Sequence, residues 1–309
     1  MHKNGIHHVT AIAGPARRNL EFYSGVLGLR LVKKTVNFDD PGTYHLYYGD
    51  ETGQPGTILT FFPWEHAAPG RGGIGETQQT VFRVPAASIG YWLHRLVEKG
   101  VTHEKPVQRF GESFLAFRDP DGLRLAFAGI PGIESEAAWS TGAIPAEHAI
   151  RGFHSVNLLL ADAGRTAEVL TDVFGFAEIG QEGSLRRFAV PGTTAGGIVD
   201  LHAAGEFLKA RQGAGSVHHV AFRADEAGQA EMVEKLARNH GLRTTEQKDR
   251  NYFRSVYFRE PGGVLFEIAT DDPGFSVDEP VASLGAALKL PGQYESHRET
   301  IEAALPALA

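Results

Sequence analysis

Cysteine is absent from this 309-residue chain, which excludes disulfides, thiolate metal ligands and a cysteine nucleophile together. Any bound metal must then be held by His, Asp or Glu. No apolar run approaches the roughly 18–20 residues that a membrane span needs, and the opening stretch MHKNGIHHVT lacks the apolar core of a secretory signal. There is no long basic run and the net charge is −7, so neither nucleic acid nor an anionic membrane surface is expected as a partner. The glycine-rich stretch GRGGIG, Gly70–Gly75, has neither a Walker lysine nor the flanking strand and helix of a dinucleotide fingerprint, and it reads as a loop. What remains is a cytoplasmic enzyme as the default. With 42% apolar residues, 22% charged residues and 37 glycines, the composition is that of a folded protein rich in turns.

What the chain does contain is repetition. One pattern recurs four times: a strand, an amphipathic helix, then three strands joined by turns. The units open at Ile6–Ile12, at TQQTVFRV, at GFHSVNLLLAD and at VHHVAFRA. Their helices lie in ARRNLEFYSGVLGL, ASIGYWLHRLVEKG, TAEVLTDVFGF and QAEMVEKLARNHGL, where apolar residues recur at three- and four-residue spacing. A βαβββ unit of this size buries little core alone, so the units must pair. The expected fold is α+β, with four βαβββ modules paired into two open, cup-like barrels. Modules one and two span 1–130 and modules three and four span 151–272. The Gly-, Ala- and Pro-rich segment 131–150 reads as a linker, and a C-terminal tail covers 273–309. The lysines of RLVKKTV are expected on a solvated strand edge.

Comparing the modules with one another locates candidate chemistry. On the first strands His8 aligns with Ser155 and His219 with Gln79; on the last strands Glu267 aligns with Ala126, and Thr60 with Asp200. Only the pairing of modules one and four gathers two imidazoles and a carboxylate: His8, His219 and Glu267. In the closing hairpin, a three-residue loop Pro261-Gly262-Gly263 sets Tyr257 opposite Glu267, where module two has Ala116 opposite Ala126. Strand alternation puts His8 and Thr10 on one face and turns His7 to the other.

Two neutral imidazoles and one carboxylate leave positions of an octahedral metal open, an arrangement suited to non-haem Fe(II). Mn(II) would suit nearly the same ligands. An isomerase would want a fourth strong ligand, and the residue available for it is Thr60.

The repeats, with a first-strand His and a last-strand Glu, resemble the vicinal-oxygen-chelate superfamily of glyoxalases, extradiol dioxygenases and antibiotic-resistance proteins. Within it the stretches GIHHVTAI, LGLRLVKKTVNFDDPGTYHLYYGD, GTILTFFPW, SVHHVAFR, RSVYFREPGGVLFEIATD and LKLPGQYE are similar to the hydroquinone ring-cleaving dioxygenases. The resemblance implies that His8, His219 and Glu267 bind Fe(II), with His7, Thr10, His218, Arg250 and Tyr257 lining the pocket. Tyr257, His218 and His7 would handle protons, and Arg250 and Thr10 would contact substrate. Arg250 has a counterpart in module two, Arg109. The implied reaction opens a hydroquinone-type or related dihydroxylated aromatic ring with O2, drawing all four electrons from the substrate, and the assembly is expected to be a homo-oligomer. Two alternatives on the same scaffold are a metal-dependent glyoxalase-like isomerase or thiol transferase, and a non-catalytic protein that sequesters an aromatic antibiotic.

Overall fold

The structure, a computed structural model, describes residues 4–308. Each expected module is present. The first comprises β1 (Ile6–Ala13), a short helix α1 (Ala16–Leu20) that runs on as a π-helical turn to Val26, β2 (Arg30–Val36), β3 (Tyr44–Gly49) and β4 (Ile58–Pro63). The second comprises β5 (Glu76–Pro85), α2 (Ile89–Glu98), β6 (Val107–Arg109), β7 (Glu112–Arg118) and β8 (Arg124–Ile130). The third is β9 (Phe153–Leu160), α3 (Gly164–Asp172), β10 (Ala177–Glu182), β11 (Leu185–Ala189) and β12 (Ile198–Ala203). The fourth is β13 (Ser216–Ala224), α4 (Glu226–His240), β14 (Lys248–Asp249), β15 (Arg254–Arg259) and β16 (Leu265–Thr270).

The helices follow ordinary local rules. In α2 the apolar face buries Trp92 and Leu96, and the Trp92 indole donates to His148 O at 2.9 Å. α4 begins where the Asp225 carboxylate accepts from Gly228 N, and it ends at Gly241, whose φ of 64° is the left-handed cap that glycine adopts without a Cβ clash.

The strands form two curled, mixed eight-stranded half-barrels. The first runs β14-β15-β16-β13-β1-β4-β3-β2 and the second β10-β11-β12-β9-β5-β8-β7-β6. Module one therefore pairs with module four and module two with module three, through antiparallel contacts of β1 with β13 and β5 with β9. The stretch Gly70–Gly75 lies in the loop between β4 and β5 and is held to the 209–214 loop, with Gly70 N donating to Ala214 O and Arg71 N to Arg211 O.

The C-terminal segment packs on the first half-barrel and ends in a helix, α5 (Arg298–Ala304). Phe275 and Leu284 join Val32, Tyr47, Ala221 and Phe253 in one buried cluster inside that half-barrel. The same segment changes the reading of the lysines in β2. Lys33 is fully buried, its ammonium held by Asp278 and Glu279, while Lys34 forms a bridge with Leu288. β2 is an edge strand, but the tail covers it and supplies the two carboxylates, so the ammonium is paired instead of hydrated.

No helix among the described residues is long and apolar enough to cross a membrane.

Candidate metal centre

β1 and β13 lie side by side at the middle of the first half-barrel, and their register slips twice. Ile6 pairs with Phe222 and His8 with Ala221, which leaves His7 as an extra residue. Thr10 pairs with His219 and Ala11 with Val217, which leaves His218 extra. Both are β-bulges, which re-aim a side chain out of strict alternation. As a result each His-His pair works as a unit: His7 Nδ1 lies 2.9 Å from His8 Nδ1, and His218 Nδ1 lies 2.8 Å from His219 Nδ1.

The Nε2 atoms of His8 and His219 are thereby turned inward, 3.3 Å apart. Glu267 arrives from β16, which runs parallel to β13 with Glu267 beside Ala221. Its Oε2 lies 2.9 Å from His219 Nε2 and 3.3 Å from His8 Nε2, yet that oxygen has no partner in hydrogen-bond geometry. All three residues are buried, and one ligand atom from each falls within 4.8 Å of the other two, a set that could hold a metal ion. The second carboxylate oxygen accepts from Ser255 Oγ. An oriented carboxylate and imidazoles steadied through their far nitrogens are the support a metal site needs.

The electrostatics agree. Burial opposes charge on Glu267, but the imidazoles of His8 and His219 hold it well below the usual carboxylate range. Burial lowers His219, with the adjacent Glu267 carboxylate working against it. Burial and the neighbouring imidazole bring His7 and His218 down to about 3. His7 and His218, neutral, can each accept a hydrogen bond from the Nδ1–H of the adjacent ring, which leaves the Nε2 lone pairs of His8 and His219 available.

A cavity of about 290 Å³ opens over His8 and His219. Tyr257 stands on β15 directly opposite Glu267, as the three-residue loop requires, and its ring is 5.6 Å from the His219 ring. Burial and the charge of Glu267 push its hydroxyl up, so it stays protonated. Arg250, half-buried after β14, lies over the rings of Phe38 and Tyr257 at 5.5 and 5.6 Å, and 3.5 Å from Asp39. His218, Arg250 and Tyr257 line the cavity; His7 and Thr10 do not. His7 sits behind His8 with its ring 5.2 Å from Phe253. Thr10 shares a 2.8 Å hydrogen bond with Thr60. Thr60 is in turn 2.9 Å from His45 Nε2, and Tyr47 meets His45 Nδ1 at 2.8 Å.

His45 and Tyr47, together with Phe62, Trp64 and Phe253, were not singled out from the sequence, although all five line the cavity. The alternation in YHLYYG puts His45 and Tyr47 on one face of β3. Only the pairing of Tyr47 with Thr60 shows that this face looks into the site.

The second half-barrel repeats the scaffold without the ligands. Gln78 and His154 are the extra residues of its two bulges, so the bulges recur where no candidate ligand triad stands. His154 Nδ1 meets Ser155 Oγ at 2.9 Å. Arg187, at the place of Tyr47, is buried and bound through two bonds to Asp200, at the place of Thr60, at 2.8 and 2.9 Å, and to Glu112 at 2.8 Å. A guanidinium provides the interior positive charge there.

The sequence pattern described as the glyoxalase/bleomycin resistance protein/dioxygenase superfamily matches residues 5–127 and 152–268. A Bacillus subtilis (strain 168) protein named "Putative ring-cleaving dioxygenase MhqO" is 46% identical over 303 residues, 97% of this chain and 95% of that protein. The chlorohydroquinone/hydroquinone 1,2-dioxygenase of Sphingobium indicum is 32% identical over 307 residues, 96% of this chain and 94% of that protein. A crystal structure titled as a putative dioxygenase from Bacillus subtilis superposes with a TM-score of 0.94 at 44% identity, covering 100% of this chain and 99% of the other.

Proposed function

The chain belongs to the glyoxalase/bleomycin resistance protein/dioxygenase superfamily, and from that premise we propose that it is a non-haem Fe(II)-dependent ring-cleaving dioxygenase acting on a hydroquinone-type dihydroxylated aromatic. The observation that carries this reading is the convergence of His8, His219 and Glu267 beneath an aromatic-walled cavity. These residues fit the ion: two buried imidazoles, one ionised carboxylate and an orphaned Oε2 are what a divalent cation would satisfy. Divalent iron, when bound, supplies a redox-capable Lewis acid with positions left open by a three-ligand set. Thr60, the residue available as a fourth ligand, is engaged by Thr10 and His45, which favours the open three-ligand site of an oxygenase over an isomerase.

The protein's own residues supply the rest. Phe62, Trp64, Phe253 and Leu265 offer apolar walls to a planar ring and keep water from it. Tyr257, protonated and beside the triad, is placed to exchange a proton with a phenolic oxygen. Arg250 is placed to hold the second ring oxygen and to offset negative charge that develops on it. His7 and His218 fix the two ligand imidazoles through Nδ1. The relatives support the assignment, since one of them is named for hydroquinone and chlorohydroquinone.

The test is anaerobic loading of the protein with Fe(II), then oxygen uptake with a panel of hydroquinones and catechols. Stoichiometric uptake with a hydroquinone is expected. No uptake with any of them from iron-loaded protein would overturn the proposal.

A further inference from the structure

The second half-barrel has lost the ligand triad but not its cavity. A space of about 320 Å³ lies at the place equivalent to the candidate metal centre, within the size range of small-molecule sites. The equivalence is closely marked. Asn157 pairs with Asp200 as Thr10 pairs with Thr60, and Ala116 pairs with Ala126 as Tyr257 pairs with Glu267. Arg109 pairs with Glu112 where Arg250 N bonds Phe253 O. The residues after the two arginines, Phe110 and Asn251, are the only described non-glycine residues with positive φ, at 48° and 64°.

The lining has changed character. Arg109, Arg118 and Arg124 all face this space, and its one acidic residue is Glu104. Arg118 and Arg124 stand directly opposite each other on β7 and β8, an arrangement of like charges that is unfavourable without a counter-ion. Among the described residues the Arg118 side chain donates only to Gly122 O, at 3.3 Å. Arg109 donates to Gln79 Oε1 at 3.2 Å and lies over the Phe114 ring. The Arg124 side chain makes no hydrogen bond or ion pair among the described residues; its charge acts on Glu76, whose carboxylate is engaged by Gly73 N. A separate observation points to an occupant. Asn157 is 6% exposed and lines the cavity, yet its Oδ1 is buried with no hydrogen-bond partner. A buried amide of that kind calls for a partner.

We propose that the second half-barrel is a binding site for a small organic carboxylate, held by Arg109, Arg118 and Arg124 and contacted by Asn157. Planar guanidinium forks match carboxylate oxygens. The amides of Gln79 and Asn157 suit a hydroxyl or oxo group on the same molecule, and Ala116 and Leu185 give its carbon skeleton an apolar wall. This inference is independent of the reaction proposed above. It concerns a different cavity, and it requires no metal.

The test is isothermal titration calorimetry of the full chain at fixed ionic strength with cis,cis-muconate, succinate and inorganic phosphate as probes. Saturable binding of a dicarboxylate is expected. It should weaken by about tenfold or more in the double variant Arg109→Gln/Arg124→Gln and stay unchanged in Arg250→Gln, which alters the other half-barrel. No saturable binding would overturn the proposal, as would loss in Arg250→Gln with retention in the double variant. Phosphate binding as tight as the dicarboxylates would overturn the carboxylate assignment. A crystal of the unaltered protein soaked in muconate gives a readout that no variant's folding can confuse. Density beside Arg109 and Arg124 supports the site, and density confined to the first half-barrel refutes it.

Discussion

His8 and His219, 211 positions apart in the sequence, bring their Nε2 atoms to 3.3 Å, and each is steadied from behind by the histidine that precedes it. His8→Ala, His219→Ala or Glu267→Gln should each abolish bound metal, measured by elemental analysis after loading and desalting. His154→Ala removes a histidine that aligns with His7 but lies in the other half-barrel, and it should leave the metal content at one per chain. Full metal in His8→Ala, or loss in His154→Ala, would refute the pairing of ligands across the first and fourth modules.

Tyr257 faces the triad but points no second carboxylate or imidazole at it. Tyr257→Phe should therefore keep the metal and lower turnover by about a hundredfold or more, the usual contribution of a positioned proton donor. Metal content and steady-state kinetics on the same preparation check this. Unchanged turnover would remove Tyr257 from the chemistry.

Arg187 carries the buried charge of the second half-barrel. Arg187→Leu leaves Asp200 buried without its partner and should cost about 3–5 kcal/mol of stability, read from urea denaturation. The metal content of the first half-barrel should not change. A neutral or stabilising result would show that Asp200 finds another partner or takes up a proton.

Phe275 ties the C-terminal segment to the inside of the first half-barrel, its ring 5.1 Å from Tyr47 and 5.0 Å from Tyr252. Phe275→Ala should destabilise by about 3–5 kcal/mol. It should also weaken metal retention on dilution, since Tyr47 supports His45 at the floor of the site. Destabilisation without any effect on retention would limit the segment to packing.

Asp119 is buried and accepts from the hydroxyl of Tyr23, in the π-helical turn that follows α1, at 2.9 Å. Burial raises its carboxyl from 3.8 to about 6, against the backbone hydrogen bond from Leu123 and the Tyr23 hydroxyl. A carboxyl raised on folding makes the native state hold more protons than the unfolded chain between those values, so this group's contribution to stability falls as pH rises from about 4 to about 6. Against Asp119→Asn, the wild type should lose on the order of 3 kcal/mol across that window. Parallel stability profiles for the two proteins would show that Asp119 is not shifted.

Much of this was legible in the chain before folding. The four modules follow from hydrophobic periodicity and turn residues. Comparison of the modules with one another isolates His8, His219 and Glu267, because duplication gives each position three internal controls. Tyr257 opposite Glu267 follows from hairpin loop length, since cross-strand register is a local property. His45 and Tyr47 were not legible, because which face of β3 looks inward depends on β4, and β4 is placed by β1. Lys33 was misread for a similar reason: the carboxylates that bury it come from about 245 residues further along the chain.

The doubled histidines show where sequence ends and tertiary structure begins. The sequence by itself determined the residue types, their repetition and the identity of the second histidine in each pair as the outlier against Ser155 and Gln79. It could not assign the first histidine, because period-two alternation turns neighbours to opposite faces. That outcome was decided by two bulges, at His7 and His218, which exist only when β1 and β13 pair. An extra residue changes side-chain direction only relative to the strand it pairs with. Hence the chain supplied the imidazoles, and the seam between the first and last modules aimed them.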